Sequence, residues 1–300
     1  MKNFLNISDL SSDECLRIIK TAIDRKINKP HSNEAKNKSL AMIFEKNSTR
    51  TRISFELAIK QLGGLSIMLE KDQLHLGKRE TLADTAKTLS QYADIIMMRS
   101  NSHQTLENLA KYSEVPIING LSDLSHPCQT LATLMTIIEI KGSLDGVNIS
   151  WFGPISNVAH SLIDAANNDL GFTLTIHCPK YYQDIYFQKL NDMNKKISLD
   201  KVSLTEIDEK KVALADVIYT DTWFSMGDIE DSTKIEMLTP YSINKNIMSM
   251  TKKESMFMHC LPANRSQEVS AEVIDGEQSY VWHEAQNRLH IQKELILSFL

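Results

Sequence analysis

The sequence predicts an α/β protein made of two doubly wound parallel-sheet domains with helices on both faces. Three observations carry that expectation. Short apolar runs without Gly or Pro alternate with longer segments whose apolar residues recur every three or four positions. The alternation runs from residue 39 into the 130s and restarts at 147. Polar motifs stand directly after the apolar runs, where an open parallel sheet binds its ligands.

Taken in order, Ser11 and Glu14 have capping-box spacing, and Cys15, Ile18, Ile19 and Ala22 follow as a helical stripe. Residues 26–38 are polar, contain Pro30 and read as a loop. Ser39-Leu40-Ala41-Met42-Ile43-Phe44 reads as a buried parallel strand. Phe55, Ala58, Ile59 and Leu62 place a helix after it, stopped by Gly63-Gly64. A strand at 65–69, a polar loop at 70–79, a helix at 81–92, a buried strand at 94–99, a helix at 104–112 and a strand at 115–119 follow. Pro127 opens a helix to about Ile140, with Gly142 as its stop. The second half offers strands at 147–152, 172–177, 201–204, 217–220 and 256–259, and a helix at 158–170. An amphipathic helix at 284–300 closes the chain. The expected domains are 1–134, with helix 284–300 packing back on it, and 135–283.

Composition narrows the partners. A net charge of −5 with no polybasic run argues against nucleic acid and anionic membranes. No apolar run approaches spanning length, and the first residues lack a signal-peptide core. Cys15, Cys128, Cys178 and Cys260 have no metal or redox spacing and read as reduced thiols of a cytoplasmic protein. Neither a GxGxxG fingerprint nor a P-loop is present, so no nucleotide cofactor is expected.

The chemistry is expected first at Ser48-Thr49-Arg50-Thr51-Arg52. Ser48 or Thr49 is a natural N-cap, which makes these residues the first turn of a helix. That turn offers backbone N–H groups without helical partners and the positive end of the dipole. Arg50 and Arg52 there are disfavoured by a few tenths to about 1 kcal/mol each, so an anion should compensate them. A surface salt-bridge network is one answer. Phosphate, cradled by N–H groups and forked by Arg, is the better one.

Other strand ends add candidates. Arg99 terminates one apolar run, where a solvated charge is the plain alternative. His126 sits just ahead of Pro127, at a helix start whose dipole favours neutral imidazole, with Gln129 in the first turn. Gly153-Pro154-Ile155-Ser156-Asn157 follows a strand and opens a helix. Asp221 follows another strand, where capping a turn is the default role. His259-Cys260-Leu261-Pro262 presents a thiol at a strand tip.

Ser-Thr-Arg-Thr-Arg at 48–52, His-Pro-x-Gln at 126–129, Asp-x-x-x-Ser-Met-Gly at 221–227 and His-Cys-Leu-Pro at 259–262 resemble, in the same order, the motifs of the carbamoyltransferases. The last two are similar to the ornithine branch. The resemblance implies transfer of a carbamoyl group from carbamoyl phosphate to the δ-amine of L-ornithine, giving citrulline and phosphate. It implies that Ser48, Thr49, Arg50 and Thr51 hold the phosphate, while Arg99, His126 and Gln129, with Thr51, surround the carbamoyl group. His75 would come from a neighbouring subunit, and Asn157, Asp221, Ser225 and Met226 would bind ornithine. Cys260 and Leu261 would lie near the reacting amine and Arg288 near the carbamoyl oxygen. Arg99, His126, Asp221 and Cys260 would be the catalytic groups. The resemblance further implies a cyclic homotrimer with sites at subunit interfaces, and no metal or organic cofactor.

Two stretches depart from the pattern. The ornithine branch usually has Asp-Gly-Asn-Asn where this chain has Pro154-Ile155-Ser156-Asn157, and Lys78 is similar to the loop lysine of the aspartate branch. Putrescine or aspartate as acceptor, or a non-catalytic relative that binds carbamoyl phosphate or an amino acid, are the alternatives.

Overall fold

In the computed structural model, residues 3–70, 80–224 and 231–300 are described. The chain divides into two compact units, Met1–Met135 with Gln286–Leu300, and Thr136–Ala285.

The first unit is built on a sheet of order β2-β1-β3-β4, with β1 (Ser39–Phe44), β2 (Leu65–Glu70), β3 (Ile95–Arg99) and β4 (Ile117–Leu121). All its pairings are parallel. β1 and β3 occupy the centre, which is why their apolar residues show no alternation: both faces are covered. The connecting helices are α1 (Ser12–Asn28), α2 (Thr49–Gln61), α3 (Leu82–Ser90) and α4 (His103–Tyr112). α1 begins at the expected capping box, Ser11 and Glu14 exchanging hydrogen bonds. It runs three residues into the stretch read as loop, ending at Asn28. α2 ends where Gly63 takes φ +82°, a conformation that a Cβ disfavours.

The fourth strand lies two residues later than the sequence places it, at 117–121 rather than 115–119. Asn119 is fully buried inside it and donates its side-chain N–H to Leu5 O at 2.8 Å. That long-range partner keeps a polar residue and Gly120 within a strand.

α5 (Pro127–Lys141) carries the chain from the first unit to the second. There the sheet order is β7-β6-β5-β8-β9, again all parallel, from β5 (Asn148–Phe152), β6 (Thr173–His177), β7 (Val202–Thr205), β8 (Val217–Thr220) and β9 (Met256–His259). α6 (Asn157–Asn167) follows β5. The sequence reading did not anticipate α7 (Lys180–Asp192), α8 (Glu209–Leu214), α9 (Ser232–Leu238), α10 (Lys245–Met250) or α11 (Ala271–Ile274). Most of these are too short to show a period, and side-chain caps such as Asp208, Asp231 and Asn244 define their starts.

α12 (Val281–Phe299) begins three residues before the expected 284. Its later turns pack within the first unit. Arg25 Nε meets Glu294 Oε2 at 2.9 Å, Lys26 Nζ donates to Asn287 Oδ1 at 2.8 Å, and the buried Lys293 donates to Pro30 O at 2.7 Å. Leu295 and Ile296 are fully buried there. Leu295→Ala removes buried apolar volume that cannot fully collapse, so it should cost about 2–5 kcal/mol. A calorimetric melt checks this, the expected result being a clearly lowered unfolding temperature with unchanged far-UV circular dichroism at 20 °C.

Candidate active site

In both sheets the strand order reverses direction at one crevice, between β1 and β3 in the first unit and between β5 and β8 in the second. Ligands of open parallel sheets bind at such crevices, beyond the carboxyl ends of the strands. Most of the candidate residues in the described regions lie in the segments that leave those strand ends.

In the first unit, Ser48 is the N-cap of α2, its hydroxyl accepting from Thr51 N at 3.3 Å and donating to Thr51 Oγ1 at 3.2 Å. The capping atom therefore comes from Ser48, and Thr49 is the first helical residue. Thr51 is buried, whereas Thr49, Arg50 and Arg52 are exposed. Among the described residues, no carboxylate forms an ion pair with Arg50 or Arg52. The nearby Glu45 is held elsewhere, accepting from Ser100 Oγ and Asn101 N, both at 2.7 Å. A cavity of about 400 Å³ opens beside this turn, lined in part by Asn47, Ser48, Thr49, Arg52 and Glu70. It can take a small anion.

Arg99 ends β3 and is nearly buried. His126, Gln129 and Arg288 are buried as well, and Arg288 Nη1 donates to Gln129 Oε1 at 2.6 Å. Burial, then the positive charges of Arg288 and Arg99, hold the His126 imidazole well below its ordinary value. The sequence argument attributed a neutral ring to the helix dipole; desolvation and two guanidiniums do that work here. Arg99, His126, Gln129 and Arg288 thus form one cluster of donors suited to a developing oxyanion.

The scaffold behind His126 was not foreseen. His103 and Asp123 fix the preceding loop, His103 Nδ1 lying 2.8 Å from Ser122 Oγ and Asp123 Oδ1 accepting from His103 N at 2.7 Å. Ser122 Oγ in turn accepts from Ser125 N. These contacts join residues about twenty apart, which no local pattern reports. Cys128, beside this loop, is buried with its thiol pushed up to about 12, and it stays a neutral thiol.

In the second unit, Asp221 follows β8 and is nearly buried. Its Oδ1 accepts from Thr222 N at 2.8 Å and from the Cys260 thiol at 2.9 Å. Its Oδ2 accepts from Ser156 Oγ at 3.1 Å. Ser156 is also the N-cap of α6, so Asn157 opens that helix. Leu261 follows Cys260, and its N–H donates to His259 Nδ1 at 2.8 Å, while His259 Nε2 lies 3.3 Å from the buried Glu268. Ser156, His259 and Glu268 did not figure among the expected site residues. Ser156 and His259 lay inside motifs already visible in the sequence, whereas Glu268 carried no local signal. His75, Ser225 and Met226 lie outside the described residues.

Asp221, His259 and Cys260 also place one potential ligand atom each within 4.8 Å of the others. Both His259 nitrogens are engaged in the hydrogen bonds just named, so a metal there would have to displace them.

Residues 2–139 match the family model described as aspartate/ornithine carbamoyltransferase, carbamoyl-P binding domain, and residues 145–299 match its Asp/Orn binding domain. The chain belongs to the aspartate/ornithine carbamoyltransferase family. It is 45% identical over 305 residues to an ornithine carbamoyltransferase of Pyrococcus abyssi, covering 100% of this chain and 96% of the relative. Identity to the Bacillus subtilis ornithine carbamoyltransferase is 44% over 303 residues, covering 100% and 94%. Among solved structures, the ornithine carbamoyltransferase of Pyrococcus furiosus aligns with a TM-score of 0.88 at 43% identity, covering 98% of this chain and 96% of that one. That of Thermus thermophilus aligns with a TM-score of 0.88 at 31% identity, covering 100% and 99%. Within this carbamoyltransferase family, Arg99, His126 and Gln129 fall in the part that matches the carbamoyl-P binding domain, and Arg288 in the part that matches the Asp/Orn binding domain.

The depressed basicity of His126 has a consequence for stability. The unfolded ring titrates near 6.5, and the folded ring well below it. As pH falls below about 6.5 the unfolded chain takes up a proton that the folded chain refuses, so stability present above that pH is progressively lost. Melts from pH 7.5 to 5.5 should fall more steeply for the wild type than for His126→Gln; the buried His177, held down to about 4, contributes to both and cancels.

Proposed function

We propose that this member of the family transfers the carbamoyl group of carbamoyl phosphate to the δ-amine of L-ornithine, giving L-citrulline and phosphate. The observation that carries the reading is the complementary chemistry of the two units. One gathers Arg99, His126, Gln129 and Arg288 near a capped helix start. The other holds a carboxylate with a thiol against it. The curated relatives named above, at up to full coverage, are ornithine carbamoyltransferases.

Carbamoyl phosphate is already activated, so the task is to position it and to stabilise charge as its carbonyl becomes tetrahedral. In this proposal Ser48, Thr49, Arg50 and Thr51 hold the phosphate. Arg99, His126 and Arg288 donate to the carbonyl oxygen, and Gln129 lies beside the carbamoyl group. The acceptor amine is the harder problem. An alkyl amine has a pKa near 10.4, so making it neutral at pH 7.5 costs about 4 kcal/mol. Asp221, braced by Cys260, orients the δ-amine and favours loss of its proton. Asn157, and by resemblance Ser225 and Met226, bind the rest of ornithine, with Leu261 beside the amine. The neutral nitrogen, its ammonium proton already lost, attacks the carbamoyl carbon, the C–O bond to phosphate breaks, and the departing phosphate takes the second proton that the nitrogen sheds once bonded to carbon.

The proposal extends to a cytoplasmic homotrimer serving arginine biosynthesis. Among the described residues no helix is long and apolar enough to cross a membrane. β2 is an edge strand with Leu65 and Ile67 exposed, and α2 exposes Ile53 and Leu57. An apolar edge of this kind favours association, here with further copies of the chain that would supply His75.

Steady-state assays with carbamoyl phosphate and a panel of amines test the acceptor, the expected result being citrulline formation with ornithine far ahead; putrescine or aspartate outperforming it would overturn the reading. Removing a charge-assisted donor costs about 2–4 kcal/mol of transition-state stabilisation, so Arg99→Ala should lower kcat roughly 10²–10³-fold. Light scattering should give three times the chain mass, and Ile67→Lys should reduce it. A monomeric wild type would remove the trimer.

A further inference from the structure

We infer that Ser156 is a positioning residue that locks the Asp221 carboxylate to the first turn of α6 and so sets the length of amino-acid acceptor that the second unit takes. The inference rests on the proposed ornithine reading and deepens it.

The Ser156 hydroxyl offers a single proton and two lone pairs. The acceptor side of Ser156 Oγ faces Val158 N at 3.2 Å and Ala159 N at 3.4 Å, which is what makes it the cap of α6. The proton is therefore directed to the remaining partner, Asp221 Oδ2, at 3.1 Å. A donor to a carboxylate makes a charge-assisted bond, stronger than a neutral one.

The turn that presents Ser156 is itself constrained. Gly153 leaves β5 at φ +107°, its N–H donates to His177 O at 3.0 Å, and Ser156 N donates to Pro154 O at 2.9 Å. Across the crevice, Thr220 Oγ1 donates to Phe152 O at 2.8 Å and ties the ends of β8 and β5 together.

Asp221 accordingly receives donors from three segments: its own loop through Thr222, the tip of β9 through Cys260, and the β5–α6 turn through Ser156. Only the last reaches the helix that Asn157 opens. An α-amino acid with a distal amine has to satisfy two points, its charged α-end and its amine. Ser156 fixes the spacing between the start of α6 and the group proposed to receive the amine. It stands in the stretch where this chain departs from the ornithine-branch pattern, so the departure keeps a cap and supplies a tether.

The test is kcat/KM for ornithine and for lysine, one methylene longer, in the wild type, Ser156→Ala, Ser156→Thr and Ser156→Asp, with melting temperatures alongside. Losing a hydrogen bond to a charged group corresponds to roughly ten- to hundredfold. Ser156→Ala should lose that much for ornithine and discriminate less against lysine, while the KM for carbamoyl phosphate stays put. Ser156→Thr keeps a hydroxyl and should recover most of the loss. Asp caps helices as well as Ser does, so Ser156→Asp should fold, yet its carboxylate opposes Asp221. It should lose more than Ser156→Ala for ornithine, because two like charges repel and displace the Asp221 carboxylate from the start of α6. If Ser156→Ala does not fold, the Thr and Asp variants carry the test. Variants that melt like the wild type with an unchanged ornithine-to-lysine ratio would overturn the tether. A wild type that makes no citrulline from ornithine would instead overturn the acceptor reading beneath it.

Discussion

Within each sheet the strands run parallel, and that constraint governs where polar chemistry sits. A parallel strand must be followed by a crossover, so every strand's carboxyl end opens at the same edge and every helix start faces it. Where the strand order reverses, two adjacent crossovers leave in opposite directions and a crevice remains. The turn at Ser48 and the end of β3 at Arg99 flank one crevice. The turn at Ser156 and the end of β8 at Asp221 flank the other.

The two crevices solve opposite electrostatic problems. In the first, cationic and neutral donors gather with burial, so that His126 stays uncharged between two arginines and Arg288 finds a neutral acceptor in Gln129. A cluster of that kind is unfavourable to assemble by itself, and an anion relieves it. In the second, one nearly buried carboxylate accepts from a thiol, a hydroxyl and a backbone amide, and among the described residues no cation is paired with it.

Position within the chain decided which of these features could be read early. Strands such as 39–44 and 217–220 were legible because both faces are buried and the apolar run needs no context. Gly120 misled the placement of β4, which continues through it to Leu121, while Asn119 is held in the strand by Leu5 O, more than a hundred residues away, and by Ser125 O. The short helices α8 and α10 carry caps but no period, so they escape any reading based on periodicity. At the site, Arg99 and Asp221 announced themselves by standing at the ends of apolar runs, and His126 by its place at a helix start. His103, Ser122 and Glu268, which brace the flanking loops, are polar residues outside any apolar period, and only their side-chain contacts in the folded chain reveal them.

By itself, the sequence determined the α/β class, most of the buried strands and the four motifs that mark the family, because each is written in a few neighbouring residues. Tertiary structure alone decided which strand ends share a crevice, what keeps His126 neutral, and that Ser156 joins Cys260 on one carboxylate. The reason is that strand order and side-chain meetings depend on how crossovers wind, and winding brings together residues whose separation along the chain carries no local imprint.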